Sequence, residues 1–206
     1  MIDSQLRRAL QRPLEWGARA IDVAWVTPNR LTMAGMLLGL SSATLAAFQL
    51  WIPALVVWLL SRILDGLDGT LARRRSKHGS ASEVGGFLDI VADFVSYGAS
   101  VVGVAIGAAA AFDAPWWPFL LVLFAYYLNG TTFLAFSSIA ERTGRRIDDG
   151  RSLSFLGRIA EGAETIFVHS LWLILPWFAW QIALVWAAVV FASAVQRVVL
   201  AVRILR

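Results

Sequence analysis

The 206-residue chain contains no cysteine, so no disulfide, zinc–thiolate site or thiol nucleophile can take part in its chemistry. Charge is scarce as well. Asp, Glu, Lys and Arg make up 16% of the residues against 58% hydrophobic ones, and mean hydropathy is +0.66. No internal repeat or low-complexity segment stands out. No secretory signal peptide is evident, because the first long apolar run begins near Leu31 and follows an Arg-rich stretch. What is left is a chain with room for one integral membrane domain over 1–206 and little else.

Apolar runs of about 20 residues mark membrane spans. They are predicted at 31–50, 52–72, 86–111, 116–139, 160–179 and 182–204. The fold class expected is all-α: a polytopic bundle of six transmembrane helices over 28–206, preceded by an amphipathic interfacial helix within 1–27. Trp51, Pro53, Trp116, Trp117, Pro118, Trp177 and Trp180 cluster at three boundaries, as an aromatic belt would. Pro176 can kink the fifth span, and Pro13 can break the N-terminal helix in two. In that helix Leu6, Leu10, Leu14, Ile21 and Trp25 share one face, with Arg8, Arg12 and Arg19 opposite. The pattern suits a helix lying in the membrane interface or one packed against the connection between spans four and five.

The 18 basic residues are all on one side of this topology. They fall in the N-terminal segment, in the 2–3 and 4–5 connections, or near helix ends on that side, whereas the connections near 51, 114 and 180 carry none. The positive-inside rule makes that side cytoplasmic, with both termini on it, and a bacterial inner membrane is the expected location. The net charge of +4 also raises nucleic-acid binding. No nucleic-acid motif accompanies it, and topology plus anionic headgroups explain it better.

Against this apolar background, four aspartates fall within 29 residues: Asp65 and Asp68, then Asp89 and Asp93. Three- and four-residue spacings put each pair on one helix face. Uncompensated charge beside lipid is costly, so such acids are paired or functional. Hard carboxylate oxygens suit Mg²⁺ or Mn²⁺. The alternative is a set of unrelated carboxylates on solvated helix ends.

The stretch reads D-G-L-D-G-T-L-A-R, a basic turn, then G-G-F-L-D-I-V-A-D. Asp65, Asp68, Gly69, Ala72, Arg73, Gly85, Asp89 and Asp93 together resemble the signature of the CDP-alcohol phosphatidyltransferases. T-P-N-R-L-T, from Thr27 to Thr32, looks like the element that opens that family's first membrane helix. The one departure is the length between Arg73 and Gly85, eleven residues here and fewer in the usual pattern. A longer loop with an intact site is expected.

The resemblance implies displacement of CMP from a CDP-linked donor such as CDP-diacylglycerol by an alcohol hydroxyl. It implies two Mg²⁺ or Mn²⁺ ions held by Asp65, Asp68, Asp89 and Asp93, with Asp93 also the general base. Asn29, Thr32, Asp68, Gly69, Ala72, Arg73 and Gly85 would hold the nucleotide and donor phosphates. Gly69 and Gly85 would let the nucleotide approach the backbone, and Arg73 suits a phosphate. Gly66 and Gly86, outside the signature, are read as close helix packing. Arg74, Arg75 and Lys77 are read as topology determinants and headgroup contacts. Thr27 or Asn29 can cap the first span. The family resemblance also implies a homodimer, and Gly103, Gly107 and Ala111 at four-residue spacing can serve either a dimer seam or packing within one chain.

The acceptor is open at this level. Phe94-Val95-Ser96-Tyr97-Gly98 resembles the phosphatidylserine synthase branch. Glu161 and Glu164 can bind an amino-alcohol's ammonium, or pair with Arg158 and Arg62. Arg142, Arg145, Arg146 and Arg151 can bind a sugar or polyol phosphate. His169 is read as a hydrogen-bonded packing residue. Two other classes compete. A Mg²⁺-dependent membrane prenyltransferase would also carry aspartate pairs, but it lacks the Asp-Gly-x-x-Ala-Arg element. A non-enzymatic scaffold or transporter would not need all four acids.

Overall fold

In a computed structural model the described residues are 2–76, 83–144 and 162–205, with side chains from Gln11 onward. In chain order they form α1 (Ile2–Ala20), α2 (Pro28–Ala47), α3 (Trp51–Ser76), α4 (Glu83–Phe112), α5 (Trp117–Arg142), α6 (Gly162–Ile174), a 3-10 turn (Pro176–Phe178) and α7 (Ala179–Leu205). No strand occurs among the described residues. The chain is a polytopic membrane helix bundle.

Each predicted apolar run becomes one of α2 to α7, but among the described residues four helical segments are long and apolar enough to cross a bilayer. These are Pro28–Ala47, Glu83–Phe112, Trp117–Arg142 and Pro176–Leu205. The six-span expectation is met by this measure at four helices among the described residues, and α3 and α6 fall short of it. With 26 residues α3 has the length, but Arg62, Asp65, Asp68, Arg73, Arg74 and Arg75 lower its hydropathy. The described part of α6 has 13 residues. At a rise of about 1.5 Å per residue that is roughly 20 Å, short of a hydrocarbon core about 30 Å thick. The run expected to continue to 179 stops before Pro176, because a residue preceding proline is pushed out of the helical region. Leu175 accordingly sits at φ −124°, ψ 59°.

Pro28 opens α2 at its first turn, where its missing N–H costs nothing, and the Thr27 hydroxyl caps it by accepting from the Arg30 amide at 3.3 Å. Pro13 does not divide α1, which runs through it unbroken. Ile21 and Trp25 lie beyond the end of α1, and Trp25 is exposed. The helix is seated on α3 and α6. A Cβ at Gly66 would lie 3.2 Å from Leu14, and one at Gly17 would lie 3.0 Å from Leu67. Gly66 is thus a close-packing glycine, as read from the sequence. The expected partner of α1 in the connection between spans four and five is outside the described residues.

The core is aromatic and aliphatic where α3 to α7 converge, around Trp58, Val101, Val104, Phe119, Val122, Trp172, Leu173 and Val190. By contrast, α2 reaches its neighbours through small residues: Gly35, Gly39, Ser42, Ala43 and Ala46 are buried. Ser42 Oγ donates to the Ala54 carbonyl at 2.8 Å and Ser61 Oγ to the Gly35 carbonyl at 2.7 Å, clipping α2 to α3. On the other side, a Cβ at Gly103 would fall 2.1 Å from the Ala43 carbonyl oxygen, and one at Gly107 2.1 Å from that of Ala46. The Gly103/Gly107 stripe therefore seats α2 against α4 within one chain.

Because backbone cannot yield as a flexible side-chain tip can, Gly103→Ala must force α2 and α4 apart. A loss of about 1–3 kcal/mol is expected for such overpacking. It is read as a lower melting temperature of the detergent-purified protein. Gly98→Ala is the control. A Cβ there meets nothing within 4 Å, so its melting temperature should match or exceed that of the parent.

Candidate active site

Tight packing of α2 on both α3 and α4 brings the two aspartate pairs together. Each pair lies near the end of its helix next to residues 77–82, which join α3 to α4. Oxygens of Asp65, Asp68 and Asp89 all lie within 4.8 Å of one another. Asp68 is 4% exposed, and its Oδ2 accepts a hydrogen bond from Thr32 Oγ1 on α2. The Thr32 hydroxyl is also 3.1 Å from the Pro28 carbonyl one turn back, so its single proton is shared. Three anionic oxygen donors at this spacing, one pinned by a hydroxyl, fit a hard divalent cation such as Mg²⁺ or Mn²⁺.

Asp93 stands one turn beyond Asp89 on α4 and outside that three-residue cluster. Its Oδ1 accepts from Arg62 Nη1 at 2.8 Å, and the same nitrogen is 3.7 Å from Asp65 Oδ1. Arg62, one of the partners read from the sequence for Glu161 and Glu164, pairs among the described residues with Asp93 and Asp65. It was missed as a site residue although a signal was present: a cation inside W-L-L-S-R-I-L, three residues before Asp65, is too costly to be idle.

The remaining donor-side candidates surround the cluster. Asn29 is one turn before Thr32 on α2, and it is half-buried. A Cβ at Gly69 would lie 3.3 Å from Arg73 Nη1, so the guanidinium folds over the glycine. Arg73 Nη2 donates to Thr70 Oγ1 at 3.2 Å, and Thr70 in turn donates to the Gly66 carbonyl at 2.8 Å. Ala72 and Gly85 are half-buried. Among the acceptor-side candidates, Glu164 opens α6, and its Oε2 is buried with no hydrogen-bond partner among the described residues. Arg151, Arg158 and Glu161 lie outside the described residues, as does most of the lengthened loop after Arg73.

Asp93 also borders a cavity of about 480 Å³ between α4, α5, α6 and α7. Its walls include the aromatic residues Phe94, Tyr97, Tyr126, Tyr127 and Phe133, with Asn129, Thr131, Thr165 and Arg197 as polar groups. The sequence reading did not find this cavity, since its lining comes from four helices with no shared motif. His169 behaves as expected of a packing residue: it is fully buried, 2.8 Å from the Tyr126 hydroxyl and 2.9 Å from Ser100 Oγ.

Residues 25–194 match the CDP-alcohol phosphatidyltransferase family. The chain belongs to that family. It is 37% identical over 186 residues to inner membrane protein YnjF of Escherichia coli, covering 87% of this chain and 85% of that one. It is 32% identical over 126 residues to the archaetidylinositol phosphate synthase of Pyrococcus horikoshii, covering 61% of this chain and 64% of that one. Its fold is that of the phosphatidylinositol phosphate synthase of Mycobacterium tuberculosis with CDP-DAG bound. There the TM-score is 0.64 at 23% identity, over 94% of this chain and 92% of that one. The same enzyme with manganese and citrate gives a TM-score of 0.62 at 24% identity, over 93% and 87%. The chain is thus a transferase that moves a phosphatidyl-type group from a CDP-linked donor to an alcohol and releases CMP. The prenyltransferase and scaffold readings fall away.

Outside the cluster, Arg74 and Arg75 are not free for headgroups as expected. Asp22, in the α1–α2 connection, accepts from Arg74 Nε at 2.8 Å and from Arg75 Nη2 at 2.7 Å. Hydrogen bonds from Arg74 and then Arg75 hold the Asp22 carboxyl below its usual 3.8. A lowered folded value means that the link contributes fully above 3.8 and is lost as pH falls through the depressed value. Asp22→Asn should therefore raise amide hydrogen exchange across 20–27 at neutral pH. The parent should approach that exchange pattern only in acid, after correction for intrinsic rates.

Proposed function

We propose that the enzyme transfers a phosphatidyl group from CDP-diacylglycerol to a phosphorylated polyol, with the reacting groups meeting at Asp93. The observation that carries this reading is the position of Asp93, between the three-carboxylate cluster and the cavity. The donor pyrophosphate would bind at Asp65, Asp68 and Asp89 through two Mg²⁺ or Mn²⁺ ions. Bound there, the ions would offset the pyrophosphate charge and stabilise departing CMP. Arg73, exposed and folded over Gly69, would contact a donor phosphate. Thr32 orients Asp68, and Asn29 would line the nucleotide pocket with Gly69, Ala72 and Gly85. Asp93 would accept the acceptor's hydroxyl proton as that oxygen bonds to phosphorus.

A phosphorylated acceptor is favoured by the cavity's charge. Arg197, 4% exposed on α7 with its guanidinium over the Phe133 ring, puts a cation in the wall of the cavity that Asp93 borders, and Asn129 Oδ1 is buried there without a hydrogen-bond partner among the described residues. Arg151 and Arg158 would add positive charge from the segment before α6. The inositol phosphate products in the names of two similar proteins support the same choice. An amino-alcohol is the second reading, favoured by the unpartnered buried oxygen of Glu164 next to cavity residue Thr165.

For topology, we place all of α2 to α7 across a bacterial cytoplasmic membrane. In this arrangement α3 crosses with its apolar half and its acids emerge on the cytosolic side, as the basic-residue asymmetry requires. The homodimer implied by the family would have to form on a face other than Gly103 and Gly107, which α2 occupies.

Purified protein with labelled CDP-diacylglycerol and Mn²⁺ should release CMP with inositol phosphate or glycerol phosphate, and not with serine or phosphatidylglycerol. Serine as the productive acceptor would replace the first reading by the second. Chelation should stop CMP release, and Asp65→Asn should lose both donor binding and turnover while remaining folded. Turnover in each of Asp65→Asn, Asp68→Asn and Asp89→Asn would remove the metal assignment.

A further inference from the structure

Arg62 is a buried cation held on several sides. It lies in α3, 8% exposed, with its guanidinium carbon 5.0 Å from the Trp58 ring centroid and 5.1 Å from that of Tyr97. Two aromatic faces attract the cation and also bar it from leaving. Nη2 donates to Ser61 Oγ at 3.0 Å. Because Ser61 spends its own proton on the Gly35 carbonyl, the hydroxyl has only lone pairs to offer Arg62. Nη1 is thereby aimed at Asp93 Oδ1, 2.8 Å away.

The aromatic clamp is itself fixed from behind. The His169 ring stacks on Trp58 at 5.1 Å and 16°, and meets Tyr97 edge-on at 5.4 Å and 70°. Trp186 Nε1 donates to the Tyr126 hydroxyl at 2.7 Å, and that hydroxyl is 2.8 Å from His169 Nε2. The Trp186, Tyr126 and His169 protons are all used if Tyr126 donates to Nε2 and His169 Nδ1 donates to Ser100 Oγ, 2.9 Å away. Five helices besides α3 thus contribute to the setting of one guanidinium: α2 through Gly35, α4 through Tyr97 and Ser100, α5 through Tyr126, α6 through His169 and α7 through Trp186.

We infer that Arg62 is a positioning residue for the transfer. It holds Asp93 by one carboxylate oxygen, outside the Asp65–Asp68–Asp89 cluster, so that the other oxygen serves the acceptor hydroxyl. This rests on Asp93 acting as the base. In that step the acceptor oxygen bonds to the phosphatidyl phosphorus as the phosphorus–oxygen bond to CMP breaks. CMP leaves with the electron pair, and the hydroxyl proton passes to Asp93 and then to water. Without the guanidinium, Asp93 would be free to turn toward its neighbours at the cluster and be lost to the acceptor. Lysine cannot replace it, since a single ammonium lacks the planar fork that engages Ser61 and Asp93 between two rings.

The test compares Arg62→Gln, Arg62→Lys, Asp93→Asn and the Arg62→Gln/Asp93→Asn double variant in the purified full-length protein. Melting temperature, CDP-diacylglycerol affinity with Mn²⁺, and kcat and acceptor KM are measured for each. Arg62→Gln and Arg62→Lys should each lower kcat by about 10²-fold, the scale of loss from a misplaced reacting group. Donor affinity should stay within about threefold, a change too small to account for that loss. The double variant should be no slower than Asp93→Asn alone, because a residue that acts through another adds nothing once that other is gone. If Arg62→Gln does not fold, Arg62→Lys with an unchanged melting temperature carries the same comparison without the double variant. The inference is overturned if folded Arg62 variants keep kcat, if they lose donor affinity in proportion to rate, or if the two losses multiply in the double variant. A fully active Asp93→Asn overturns the base assignment and this inference together. An inactive Asp93→Asn beside active Arg62 variants overturns this inference alone.

Discussion

Carboxylates gathered where helices close on one another repel, and near hydrocarbon they have little water to screen them. The bundle's organisation follows from having to hold such a group in place. Asp65, Asp68 and Asp89 share one small volume, and their helices stay together because α2 offers almost no side-chain bulk to either neighbour. Arg62 supplies the compensating cation that the protein itself provides, at Asp93 and within reach of Asp65. Burying a lone guanidinium is also expensive, so Trp58, Tyr97 and Ser61 surround it.

The chemistry follows from this division of labour. One set of acids, Asp65, Asp68 and Asp89, is grouped at a spacing that suits hard cations. The fourth is held apart and faces a cavity whose walls come from the other half of the bundle. Spacing along the chain does not separate these roles, since Asp89 and Asp93 share one face of α4. What separates them is the cation three residues before Asp65 on the neighbouring helix.

Most of the fold was legible because hydropathy and helix periodicity are local properties. Each apolar run became a helix, and three of the four paired aspartates met in one cluster, with Asp93 outside it. The misreadings arose where a local rule met a competing one. At Pro176 the apolar run continues but backbone sterics end the helix. In α3 the span is long enough, but its functional charges keep it from reading as a simple membrane helix. Pro13 signals a break that the continuous α1 does not show. The partners of Arg62, Arg74 and Arg75 could not be read at all, because Asp93 and Asp22 are each reached only through tertiary packing. Cavity residues Tyr126, Asn129 and Arg197 lie on two helices that carry no signature.

The glycine contacts of α2 and α4 also bear on how such an enzyme can diversify. Where hydrogen is the only side chain that fits, as at Gly103 and Gly107, the interface tolerates no gradual remodelling. The acid-bearing trio of α2, α3 and α4 is in that sense frozen. The cavity wall contributed by α5, α6 and α7 is different, since Asn129, Thr131, Thr165 and Arg197 face open volume. On the proposed reading of the cavity as the acceptor site, new acceptor preferences can be written on that wall one residue at a time, leaving the acid-bearing helices untouched.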